Sequence, residues 1–336
     1  MTDSIRELTM DKVNRPITAK VCKLCPLECG ADRTVEVGLC GVGGFGGIDG
    51  LGSVSGFDDA NASRDAEPNE IALVARAARH YYEEPPISGT RGSGAIFFSG
   101  CNMACIFCQN MGISHAQSGV PVDALELCNI MLRLQELGSH NINLVTPSPH
   151  VRLLEKAIPL ASSRGLTIPI VYNTNSYEKV DTLRRLDGLI DIYLPDLKYI
   201  HSAVSQMYSG RSNYFEVASL AVLEMQRQCG ALVTDDEGIA RNGLIIRHLV
   251  LPGSVDETRG VLDFIHDNFP IDTCVSLMSQ YTPMFELKPP LNRRLLRREY
   301  MRAVDYALSL GFTNIYTQKL SSANEGYTPE FNNFFE

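Results

Sequence analysis

The sequence predicts an α/β protein: a partial barrel of about six parallel strands, or a full parallel β/α barrel, with a small Cys-rich N-terminal extension. Three observations predict it. Short β-prone runs alternate with amphipathic stretches from Ala95 onward, and repeated β-α units require parallel strands joined by helical crossovers. Polar residues collect just past the runs, where β/α barrels place reactive groups. Four cysteines at the N-terminal end stand apart from this pattern, so residues 1–68 read as a metal-binding extension with a Gly-rich connector and 69–336 as the barrel domain.

The first 18 residues are polar and mix acids with bases, without the apolar core of a signal peptide. Next come Cys22, Cys25, Cys29 and Cys40, spaced C-x2-C-x3-C-x10-C among the turn formers Pro26, Gly30 and Gly38. Four thiols so grouped are a metal-site signal. A closed four-cysteine site suits structural zinc as well as a fully ligated iron-sulfur cluster, with free thiols or a redox pair as the plain alternative. Residues 41–68, rich in Gly, Asp and Ser, read as a connector, and their glycines lack the strand-to-helix context of a phosphate loop. Ile71, Val74, Ala75 and Ala78 then fall at helical spacing, which predicts a helix stopped by Pro85-Pro86.

Within the barrel domain, 95–98 read as a first strand. Asp123 with Glu126 three residues on forms a capping box, opening a helix that ends near Gly138. Strands follow at 142–145, 168–172, 190–194, 244–251, 275–278 and near Ile315, with helices at 152–163, 213–229, 256–268 and 291–309. Arg293, Arg294, Arg297 and Arg298 are placed on a solvated face of the last helix. Cys128, Cys229 and Cys274 read as small core residues, and His115 and His201 as surface or loop histidines.

After the first strand stand Cys101, Cys105 and Cys108, spaced C-x3-C-x2-C. Three thiolates in one short loop can hold three corners of a cubane iron-sulfur cluster and leave the fourth iron without a protein ligand. An open position marks a reactive centre. Zinc would need a fourth ligand, for which His115 is the nearest candidate; three inert buried thiols is the bland alternative.

At these residues the chain resembles the radical S-adenosylmethionine superfamily, whose signature is this loop with an aromatic residue, here Phe107, before the last cysteine. The resemblance implies a [4Fe-4S] cluster on Cys101, Cys105 and Cys108, S-adenosylmethionine on the open iron, and reductive cleavage to methionine and a 5′-deoxyadenosyl radical that abstracts hydrogen. Phe107 would lie against the adenine.

The polar residues past the predicted strands are Thr146, Ser148 and His150; Asn173, Thr174 and Asn175; Asp196 and Lys198; the run from Arg247 and His248 to Gly253; and Ser279, Gln280 and Tyr281. Of these, Thr146, Ser148, Asn173, Asn175, Asp196, Lys198 and His248 are the candidate cofactor-binding residues. Asp196-Leu197-Lys198 and Leu251-Pro252-Gly253 also resemble segments of the pyruvate formate-lyase-activating-enzyme-like branch, which implies a glycyl radical enzyme or another protein or peptide as partner and an electron donor such as flavodoxin or ferredoxin. The branch's Gly-Gly-Glu segment, which binds the amino group of S-adenosylmethionine, is absent, and Thr146-Pro147-Ser148 stands in its place. Rival readings are a radical enzyme acting on a small metabolite or peptide with the N-terminal site as auxiliary cluster, and a non-catalytic electron carrier or zinc-stabilised binding module.

A formal charge of -9 and a pI near 5.3 argue against a nucleic-acid partner. Ten cysteines in metal-ligand clusters rather than a disulfide scaffold point to the reducing cytoplasm. No apolar run reaches the roughly 18 to 20 residues of a membrane span, so a soluble protein is expected.

Overall fold

The sequence folds into strands β1 (Ala72–His80), β2 (Ser93–Phe98), β3 (Val120–Val122), β4 (Ile142–Val145), β5 (Ile170–Thr174), β6 (Ile192–Pro195), β7 (Val233–Thr234), β8 (Ala240–Leu249), β9 (Cys274–Met278) and β10 (Ile315–Thr317). They form one sheet in the order β10-β9-β8-β6-β5-β4-β2-β1-β3, with β7 beside β8. The run from β2 to β10 is parallel throughout. The computed structural model describes residues 21–45, 70–115, 117–323, 331, 334 and 335; the polar first 18 residues and most of the Gly-rich connector lie outside the described residues.

The two-residue side-chain period of a strand sorts the sheet into two faces. Tyr172, Tyr193, Ile246, Val275 and Leu277 join the large core beneath the crossover helices. Their strand neighbours Val171, Ile192, Leu194, Ile245 and Cys274 form a separate cluster around Ile87. A single cluster that joins residues of β5, β6, β8 and β9 to Ile87 fits a curled sheet, in line with the expected partial barrel. The sheet stays open, because β10 and β3 stand at opposite ends of the strand order. Ile87 sits in the helical turn Pro85–Ser88, and the segment after β1 thereby plugs the end of the barrel at which the parallel strands begin.

Residues 72–80 form a strand, not the predicted helix. β1 pairs antiparallel with β2 along six residues and with β3 along three. Its burial runs almost without a break, so both faces are covered. Alanines at 72, 75, 77 and 78 fit that narrow space, and tertiary pairing overrides their helix propensity. A second correction concerns the last helix, which spans Arg297–Ser309. Arg293 and Arg294 precede it, and Arg293 is bonded to Glu299 by two 2.8 Å contacts instead of lining a helical face. The Asp123 capping box forms as expected, with Glu126 Oε2 accepting from the Asp123 N–H at 3.0 Å. Strands β5 and β6 begin two residues later than predicted, so Asn173 lies inside β5. Cys128, Cys229 and Cys274 are buried core residues, as expected.

His248 points outward from β8 into the helix Val255–Asn268, in which Thr258 lies. Its Nδ1 lies 2.6 Å from the Leu197 carbonyl and Nε2 2.9 Å from Thr258 Oγ1. A carbonyl only accepts, so Nδ1 carries a proton, and the neutral ring would take up a second one at Nε2. Burial lowers its pKa to about 4. The unfolded chain therefore takes up this proton first, near pH 6.5, and stability falls as pH drops from there towards about 4. Urea unfolding from pH 7.5 to 4.5 should show wild type losing up to about 3 kcal/mol relative to His248→Gln, which cannot titrate. Parallel stability curves would contradict a neutral His248.

Candidate metal and cofactor site

The loop from Gly100 to Asn110 leaves the C-terminal end of β2 and is held by backbone bonds on several sides. Gly100 N–H donates to Ile113 O at 2.9 Å, Cys101 N–H to Cys40 O at 2.8 Å and Ile106 N–H to Tyr208 O at 2.9 Å. Asn102, fully buried, donates to Tyr177 O at 2.6 Å and accepts from Asn175 Nδ2 at 2.9 Å. With no regular helix or strand in the loop, these bonds fix where its three thiols point.

Each thiol has a polar partner. Cys101 Sγ accepts from Asn175 Nδ2 and from the Met103 N–H, both at 3.4 Å. Cys105 Sγ accepts from Ser209 Oγ at 3.0 Å, and Cys108 Sγ lies 3.5 Å from Ser114 Oγ. Burial pushes the Cys101 thiol up to about 12, with the neighbouring Cys105 and Cys108 adding to the rise. Burial likewise raises Cys105, while Lys198 opposes it. Donors around mutually repelling thiols are what a bound cation needs, because its charge ionises them and the donors then stabilise the thiolates. Among the described residues, no three Cys, His, Asp or Glu side chains converge on one point as ready-made ligands of a single metal ion.

Cys101, Cys105 and Cys108 open onto a cavity of about 210 Å³. Of the expected residues, Phe107, Thr146, Asn173, Asn175, Asp196 and Lys198 line it as well. Phe107 meets Tyr281 edge-on at 6.0 Å, leaving an aromatic wall beside the last cysteine. Two expected residues are not in the lining. Strand alternation turns His248 outward to Thr258, and Ser148 is buried with its hydroxyl donating to Glu178. The Leu251-Pro252-Gly253 turn also lies away from the cavity lining, with Gly253 N–H donating to Glu299 at 2.9 Å.

Glu83 is a cavity residue that the sequence reading missed, and Arg247, named there in the run to Gly253, was not among its candidate cofactor-binding residues. Arg247 donates to Asp196 at 2.8 Å, to Glu83 at 3.0 Å and to Asn173 at 2.6 Å. Glu83 also accepts from Asn143 at 3.0 Å and Asn173 at 3.2 Å. Burial alone would raise Asp196, but Arg247 and Lys198 outweigh it and hold the carboxyl below its usual value. Lys198 completes the chain through a 2.7 Å bond to Asp196. An arginine directly after the apolar run Leu244-Ile245-Ile246 was a legible signal for an inward charge; Glu83 was hidden by the mistaken helix.

Thr146 holds a left-handed φ of +60°, rare for a β-branched residue, at the cavity edge. Its backbone N–H donates to Asn173 O at 3.0 Å, which keeps the strained conformation in place.

The N-terminal cysteines approach one another in pairs. Cys22 and Cys29 are hydrogen-bonded, an interaction that lowers Cys29 to about 5 and raises its partner. Burial raises Cys25 to about 11, with contributions from nearby Cys40 and Cys29. The segment docks on the barrel beside the loop of Cys101, Cys105 and Cys108, with Thr182 Oγ1 donating to Leu24 O at 2.7 Å.

The chain is 33% identical over 236 residues to the uncharacterised protein MJ0674 of Methanocaldococcus jannaschii, a match covering 67% of this chain and 64% of that protein. It thus spans less than two thirds of that relative's length. Among solved structures, it is similar to Streptococcus suis SuiB bound to the precursor peptide SuiA, at 16% identity and a TM-score of 0.45, over 66% of this chain and 48% of that one. A domain of pyruvate-formate lyase-activating enzyme from Bacteroides vulgatus matches at 12% identity and a TM-score of 0.40, over 54% of this chain and 100% of that one. No protein-family model matches the chain.

Replacing Arg247 with Met leaves Glu83 without its cation and Asp196 with Lys198 alone, in a largely buried layer. A loss of about 3–5 kcal/mol in denaturant unfolding is expected; a loss below 1 kcal/mol would show that the network is not a stability determinant. Thr146→Gly relieves a left-handed conformation costing about 1–2 kcal/mol and adds about 0.5–1 kcal/mol of chain entropy to the unfolded state. Thermal unfolding should therefore find it as stable as wild type or slightly more so, and marked destabilisation would contradict the strain.

Proposed function

We propose that the chain is a radical S-adenosylmethionine enzyme, with Cys101, Cys105 and Cys108 holding a [4Fe-4S] cluster and the adjoining cavity holding S-adenosylmethionine. The observation that carries this reading is the placement of three hydrogen-bonded thiols on the wall of a cavity also lined by an aromatic ring, amides and paired charges. When bound, the cluster and its sulfonium ligand supply a one-electron cleavage that yields methionine and a hydrogen-abstracting 5′-deoxyadenosyl radical.

The chain's own residues bind, orient and shield. Asn175 and Ser209 direct N–H and O–H groups at two of the sulfurs and so favour their thiolate forms. Phe107 offers its ring to the adenine. Thr146 and Asn173 offer oxygens to the amino acid and ribose, while Asp196 and Lys198, already paired, present opposite charges to a zwitterion. The aromatic wall of Phe107 and Tyr281 limits water access from that side.

The proposed hydrogen donor is a glycine of a partner protein, supported by the likeness of Asp196-Leu197-Lys198 to the corresponding segment of activating enzymes. The electron comes from a low-potential carrier such as flavodoxin or ferredoxin. Cys22, Cys25, Cys29 and Cys40 hold a second metal, zinc or an iron-sulfur cluster.

Reconstituted without oxygen and reduced with dithionite, the wild-type chain should release 5′-deoxyadenosine from S-adenosylmethionine, measured by mass spectrometry. Cys105→Ala should release none while keeping its secondary structure. Cleavage by that variant at the wild-type rate would refute the assignment.

A further inference from the structure

Arg33 is a buried charge with an unusual set of partners. It is 1% exposed, its Nη1 donates to Pro149 O at 2.6 Å, its Nη2 lies 4.0 Å from Cys40 Sγ, and its Nε has no hydrogen-bond acceptor. The groups it meets among the described residues are thus a carbonyl and a thiol rather than a carboxylate. A guanidinium buried without an anion is strongly unfavourable, so its setting calls for a negative charge beside it. Four thiolates around a divalent metal, or around an oxidised cubane cluster, retain net negative charge and meet that requirement.

The same segment touches the other cysteine loop directly. Cys101 N–H donates to Cys40 O at 2.8 Å. Gly100 lies so close that a Cβ there would stand 2.4 Å from Val42 Cγ2 and 2.7 Å from Cys40 O. Within the segment, ladder pairing is limited to the bridges Val21 to Asp32 and Val37 to Gly43, and its other backbone bonds are those of turns, such as Glu28 N–H to Cys25 O and Gly41 N–H to Gly38 O. A cross-link through its four sulfurs would tie these turns to one another.

We propose that Arg33 is the counter-ion of a metal-thiolate centre formed by Cys22, Cys25, Cys29 and Cys40, and that this centre clamps the Cys101 end of the neighbouring cysteine loop. The inference rests on the reading of those four cysteines as a metal site. It adds that filling this site organises the other one: with the metal in place, residues 40–42 form a fixed shelf for Gly100 and Cys101, and Arg33 ties the shelf to Pro149 at the cavity end of β4. Arg33 acts through the centre as a positioning residue.

The test uses the full chain carrying Cys105→Ala and Cys108→Ala, so that the N-terminal site is loaded alone, in parallel with zinc and with ferrous iron plus sulfide. Metal retention is measured against a chromophoric chelator, and amide exchange at Cys101 by mass spectrometry. Adding Arg33→Met should weaken retention about 10–100-fold, and Arg33→Lys, which keeps the charge, should restore most of it. Loading the parent should slow exchange of the Cys101 amide at least about tenfold, a readout that needs no Arg33 variant and stands even if Arg33→Met fails to fold. Equal retention by parent and Arg33→Met overturns the counter-ion role, and unchanged exchange overturns the clamp. A parent that takes up neither metal overturns the reading of the four cysteines itself, an outcome distinct from uptake that ignores Arg33.

Discussion

The burial of Arg247 is the constraint on which the barrel interior depends. A guanidinium at this depth is tolerable only if several acceptors converge on it, and they come from separate pieces of the chain: Asp196 after β6, Asn173 on β5 and Glu83 from the plug after β1. Satisfying one charge therefore fixes the mutual placement of three strands and the segment beneath them. It also divides the interior by polarity. Below lies the apolar cluster around Ile87, and above it the cavity carries Asp196, Lys198 and the cysteine loop. The charged layer orients polar groups toward the cavity without leaving a net excess of one sign there, a setting suited to a zwitterionic ligand.

Above this layer, a loop without regular secondary structure is made rigid by its neighbours. Backbone bonds to Ile113, Cys40 and Tyr208, and the buried Asn102 amide, replace the ladder that a strand or helix would provide. The donors that reach the sulfurs come from elsewhere: Asn175 follows β5, and Ser209 ends the helix Ser202–Ser209. The thiols are adjacent in sequence, but their environment is assembled by the fold.

That distinction accounts for what the sequence revealed. The cysteine spacing, the capping box at Asp123 and the long amphipathic helices are local signals, and they were legible within a few residues. The parallel order followed from the repetition of β-α units. The misreading of 72–80 arose because alanine is ambiguous: its small side chain favours a helix in isolation, yet also suits a strand covered on both faces. Glu83 was lost with that error. For His248 the segment was right and the face was wrong, since a one-residue step along a strand exchanges cavity for helix contact; Ser148 instead sits in the short turn Ser148–His150, which buries its hydroxyl against Glu178. Arg33 carried no local signal, because its significance lies in having sulfur and a carbonyl around it where a carboxylate would be expected.

The central claim is that three protein sulfurs leave one iron free to bind a small molecule in the cavity. Mössbauer spectroscopy of the iron-57-reconstituted chain, with and without S-adenosylmethionine, addresses it most directly. The account predicts that one iron changes its isomer shift on addition of the compound while the others do not. A spectrum in which every iron is unaffected would contradict it.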